Sequence, residues 1–140
     1  MRTFRSRAGA LLALVLVAAP AAAGEARCHV SYGGETKTLA AAPSAMPYMA
    51  PAQAIGTYFL VRVVVEAEPV ELAALKTYVY ADRDEGPALV HQGEWPWPAA
   101  ADGRRHGFTG LQRVYEPLRD SELEYWCEAG EGAGARGAGR

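Results

Sequence analysis

Over residues 57–67 the chain reads TYFLVRVVVEA. Phe59, Val61, Val63 and Val65 fall on one face of an extended segment, and Tyr58, Leu60, Arg62 and Val64 on the other. Side chains alternate across a strand, and here both faces carry apolar residues. The pattern therefore predicts a central strand, with Arg62 at a rim or beside a partner. The same alternation in Cys28, Val30 and Tyr32, followed by Gly33-Gly34 and a returning ETKTL, predicts a hairpin whose glycines tolerate positive φ. Three further runs read as strands: the β-branched and aromatic KTYVYA (76–81), the short ALVHQ (88–92), and FTGLQRVYE (108–116) with Gly110 marking a bulge. ELEYWCEA (122–129) reads as the last strand, with Leu123, Tyr125 and Cys127 inward and Trp126 on the opposite face.

The segments between these runs resist regular structure. Pro43, Pro47 and Pro51 deny a helix or central strand to AAAPSAMPYMAPAQAIG (40–56), which reads as an extended crossing loop. DRDEGP and PLRDS read as turns, and GEWPWPAAADGRRHG (93–107) as a long irregular loop. About seven short strands punctuated by turn signals predict an all-β fold, an antiparallel β-sandwich.

The two ends differ from the middle. Arg2, Arg5 and Arg7, then an apolar run, then Pro20 and small residues at Ala21 and Ala23, form the pattern of a signal peptide over residues 1–23. The apolar run is shorter than the roughly 20 residues a membrane span needs. The Gly/Ala-rich tail, 130–140, has no apolar periodicity to repay its ordering and is expected to be disordered, which leaves 24–129 as one sandwich domain. The chain has 14 basic residues. Without the leader's three, 11 stand against 16 acidic ones, a net charge of about −5 with histidine neutral. That balance argues against a nucleic-acid or anionic-membrane partner, either of which calls for a basic face. Export to the periplasm or the cell exterior places the only two cysteines in an oxidising compartment, and they allow one intramolecular pairing, Cys28 with Cys127. The bond joins the first strand to the last.

RDSELEYWCEA resembles the strand of immunoglobulin-like domains in which an aspartate precedes a Tyr-x-Cys at a tight corner, with Asp120, Tyr125 and Cys127 in those places. The resemblance implies an immunoglobulin-like sandwich in architecture, not in detailed topology. SYGGETKTL, TYVYAD and LEYWCE are also similar to stretches of small exported bacterial proteins of unassigned function, which implies no activity.

Among candidate chemistries, no nucleophile elbow surrounds Ser31, Ser44 or Ser121. The trio Asp82, Asp84 and Glu85 reads as a turn, and Glu122 and Glu124 as the water side of a strand. The expectation is a protein that is not an enzyme and needs no cofactor. Trp95 and Trp97, in EWPWP, either project as anchors for a protein or glycan or fold back to plug the end of the sandwich. With Tyr48 they form the expected binding surface, for an envelope or secreted protein or a glycan. The alternative is copper. Met46 and Met49 supply thioethers and His91, or else His29 or His106, an imidazole, although the methionines could equally fill gaps where their loop packs. In that reading His91 alternates outward and His106, after Arg104-Arg105, is solvated.

Overall fold

A computed structural model describes residues 24–101 and 103–130. The expected signal peptide, and the tail from residue 131, lie outside the described residues. β1 (Ala26–Tyr32) and β2 (Glu35–Ala41) form the hairpin expected from Gly33-Gly34, whose φ values of 60° and 83° lie where a side chain is strained. β3 (Gln53–Ile55), β4 (Phe59–Glu66), β5 (Ala74–Ala81) and β6 (Ala88–Pro96) follow as an antiparallel meander. β7 (Gln112–Glu116) and β8 (Ser121–Ala129) form a second hairpin. The result is two four-stranded antiparallel sheets, ordered β2-β1-β8-β7 and β3-β4-β5-β6. In the first sheet, pairing of β1 with β8 unites the two hairpins. Among the described residues, helix is confined to two 3-10 turns, Pro47–Met49 and Val70–Leu72.

The fold is thus an antiparallel β-sandwich, with eight strands where about seven were expected. The addition is β3. The crossing segment meets β4 just after its prolines end, and Gln53, Ala54 and Ile55 pair with Val61, Leu60 and Phe59. β6 runs to Pro96, so Glu94 and Trp95 belong to a strand rather than to the expected loop. β7 is shorter than 108–116 because Gly110, at φ 69°, takes the chain off the ladder. Phe108 N–H still donates to the Cys127 carbonyl (3.1 Å), and Cys127 N–H to the Thr109 hydroxyl (2.8 Å).

β4 is central as expected. Phe59, Val61, Val63 and Val65 enter a core shared with Val30, Leu39, Leu75, Val79, Val114, Leu123 and Tyr125. Each such side chain contributes about 1.5–3 kcal/mol by leaving water. Val64 points away from that core yet is also buried (2 %), beneath Met46, Pro47 and Met49 of the crossing segment. Cys28 and Cys127 are bonded and directly opposed in the β1–β8 ladder, with Cα atoms 4.0 Å apart. A disulfide of this kind points to an oxidising compartment outside the cytoplasm. It lies within one sheet, whereas that of immunoglobulin domains spans two. Asp120, at φ 48°, accepts a hydrogen bond from Tyr115 rather than from Tyr125.

Candidate functional site

The residues expected to form a surface are divided by the sandwich. Trp97 is buried (5 %) and packs on Phe108 with ring centroids 6.1 Å apart, plugging the end of the sandwich. Trp95 is half-buried, edge-on to Tyr125 at 6.5 Å. Neither indole is presented for stacking on a partner: β6 extends through Trp95 with its side chain inward, and Trp97, just past the strand and bonded to the Ala73 carbonyl, is buried. His91 also points inward, contrary to the expected alternation. Val79 pairs with His91 but Tyr80 pairs with Leu89, so Val90 is an extra residue, and this bulge reverses the faces of β6 on either side of it. His91 Nε2 lies 2.7 Å from the Tyr125 hydroxyl, which is 2.8 Å from Thr77 Oγ1. Burial holds His91 below the ordinary histidine range and pushes Tyr125 up to about 12.

The histidines and methionines do not meet. Met46 (63 % exposed) and Met49 (72 %) lie at the Pro47–Met49 turn on the outer face of the second sheet, where with Pro47 they cover Val64, while His91 faces the space between the sheets. His29 and His106 lie against Trp126 on the outer face of the first sheet, at 4.2 and 6.0 Å between centroids. The register also brings together a group that sequence spacing hides. His29 Nδ1 is 3.1 Å from Thr38 Oγ1, and His29 Nε2 is 3.2 Å from Glu128 Oε1, beside a cleft of about 440 Å³ lined by Arg27, Arg104, Phe108 and Glu128. With both ring nitrogens engaged, His29 ties three adjacent strands across their outer face.

Tyr48 is the expected surface residue that does lie on a surface. Pairing of β4 with β5, and of β5 with β6, places Leu60 and Arg62, then Lys76, Tyr78 and Tyr80, then Leu89, Gln92 and Glu94 on one outer face. The Pro47–Met49 turn lays Tyr48 across it, half exposed (49 %), its ring 6.4 Å from that of Tyr78. The Arg62 guanidinium stacks over Tyr78 (5.2 Å) and Tyr80 (6.0 Å). Its Nη2 donates to the Tyr80 hydroxyl (3.0 Å) and its Nη1 to the Tyr48 carbonyl (3.4 Å). Lys76 Nζ donates to Glu66 Oε2 (2.7 Å) and to the Tyr48 hydroxyl (3.1 Å), which hold it charged well above the usual lysine range. Hydrogen bonds from Tyr78 and Lys76 lower the Tyr48 phenol. Burial, then donation to Tyr48, pushes Tyr78 up to about 12.

This face can stack on flat apolar surfaces through its rings and hydrogen-bond their polar edges. Sequence reasoning placed Arg62 at a rim or beside a partner but passed over Lys76, Tyr78 and Tyr80. The available signal was KTYVYA itself, whose second face carries a lysine and two tyrosines opposite the buried Thr77, Val79 and Ala81. The chain matches no known family, no curated protein and no solved structure at a significant level.

Proposed function

We propose that this protein is an exported binding module, working in the periplasm or outside the cell, that holds a glycan on the outer face of β4, β5 and β6. The observation that carries the reading is the set of three tyrosines, Tyr48, Tyr78 and Tyr80, gathered around Arg62 on an outer sheet face. Tyrosine rings are large and amphipathic. They cover the apolar face of a sugar at small entropic cost while hydroxyl and guanidinium groups meet its polar edge. The leader pattern and the Cys28–Cys127 bond support export. An immunoglobulin-like kinship is part of the same reading, supported by the Tyr-x-Cys of β8 with Tyr125 in the core.

The test is affinity electrophoresis of the oxidised full chain through gels cast with neutral and acidic polysaccharides. At least one polysaccharide is expected to retard the protein. Tyr48→Ala, in an exposed turn, and Tyr78→Ala should each weaken retardation about tenfold without lowering the melting temperature by more than a few degrees. Retardation by none, with an envelope protein cross-linked to this face instead, would replace the glycan by a protein partner.

A further inference from the structure

We infer that the ligand is an acidic glycan, a chain bearing uronate carboxylates, with one carboxylate seated on Arg62. The inference rests on the glycan reading above and adds the charge of the ligand. The two cations of the face are treated differently by the fold. Lys76 has its counter-ion, Glu66, at 2.7 Å. Among the described residues Arg62 has none: its partners are a phenol, a backbone carbonyl and two ring faces, all neutral. Its Nε is buried and has no hydrogen-bond partner, so the charge already sits partly out of water. Each Nη carries two hydrogens, and the contacts above use one apiece. One N–H of each Nη is thus left to donate, and a guanidinium meets a carboxylate best with two such bonds.

Charge and apolar surface both bear on where the chain runs. Glu66, Glu71 and Glu94 line one end of the face around Lys76 and repel a polyanion there. Leu60, Tyr80 and Leu89 form the apolar and aromatic part of the other end, with Leu89 exposed, ahead of the turn that carries Asp82, Asp84 and Glu85. In this placement a uronate on Arg62 has its neighbouring sugars laid over Tyr80 and Leu89, its ring faces on apolar surface and its carboxylate edge toward the guanidinium. A neutral sugar would gain the stacking and leave the Arg62 charge uncompensated.

The experiment is calorimetric titration of the oxidised full chain. The probes are oligomers of galacturonate, of mannuronate and of alternating glucuronate and N-acetylglucosamine, each beside its carboxyl-reduced counterpart, with hexaglutamate as a control for charge alone. One acidic oligomer is expected to bind about tenfold or more tighter than its reduced form. Arg62→Gln should erase that difference, so that the acidic oligomer binds no more tightly than its reduced form. Arg62→Lys, which keeps the charge and loses the paired N–H donors, should restore only part of it. Equal binding of acidic and reduced oligomers would overturn the inference and leave the glycan reading intact. Hexaglutamate binding as tightly as the best uronate oligomer would overturn it by showing that charge alone suffices. Binding of no oligomer, acidic or reduced, would remove the glycan reading itself.

Discussion

Tyr125 shows how far one residue's role depends on its surroundings. In the sequence it is an inward residue of the last strand; in the fold its hydroxyl joins the sheets through Thr77 and His91. Tyr125→Phe leaves the buried Thr77 hydroxyl and the half-buried His91 without this partner, so it should lower stability by about 1–3 kcal/mol in urea unfolding. Adding Thr77→Val should recover part of that loss by removing one orphaned hydroxyl; a strictly additive loss would show that the network is not coupled. The same residues set the pH limits. Burial holds His91 in the fold below its ordinary value of 6.5, so the unfolded chain takes up the proton first. Stability should be full at neutral pH, decline as pH falls below about 6.5 and level off below the folded-state pKa. His91→Gln should flatten that decline in melting curves between pH 7 and 5. Tyr125 works in the opposite direction at high pH. With its folded value at about 12 against 10.0 unfolded, its contribution is intact below pH 10 and lost as pH rises toward 12. That His91 takes part at all was not legible, because the extra residue Val90 reverses strand parity and follows from pairing with β5, not from any local pattern.

At the level of elements, legibility followed periodicity. β1, β2, β4, β5 and β8 stand where alternation and turn glycines placed them, since those signals are local to the chain. β3 and the second half of β6 were missed because tertiary pairing overrides weak propensity in both. Pro96 is tolerated because β6 is an edge strand with one side free of a ladder partner. Gly93 is required by its neighbour two positions on. A Cβ there would stand 2.6 Å from Trp95 Cζ3 and 2.8 Å from Thr77 Oγ1, so the indole folds back over the space a side chain would occupy. The sequence WPWP left a projecting tip and a plug both open, and the glycine ahead of it lets the first indole fold back against the core. Gly93→Ala should therefore push Trp95 outward and cost about 1–3 kcal/mol, with a red-shifted tryptophan emission. An unchanged spectrum with unchanged stability would mean that the indole does not depend on that gap.

For the whole molecule, the covalent frame was readable and the tyrosine face proposed for recognition was not. Two cysteines allow one pairing, so composition alone linked the ends of the domain. The tyrosine face is assembled from β4, β5 and a turn contributed by the crossing segment, and that assembly depends on register. The two features also lie on different sheets, which separates their roles experimentally. Cys28 and Cys127 are 99 positions apart, and closing so long a loop chiefly restricts the unfolded chain, by about 4–5 kcal/mol in the chain-entropy account. Against a typical domain stability of about 5–15 kcal/mol that is a large fraction. Within the native state, however, the bond only reinforces strands that the β1–β8 ladder already pairs, far from Arg62 and its tyrosines. A Cys28→Ala, Cys127→Ala variant should then unfold at a markedly lower denaturant concentration, with a steeper dependence on denaturant because its unfolded state exposes more surface. Below its melting temperature it should keep the ligand affinity of the parent. A midpoint that does not move would remove the disulfide as a source of stability. Affinity lost together with the bond, in a variant still folded, would show that the two sheets are coupled more tightly than their separate chemistry implies.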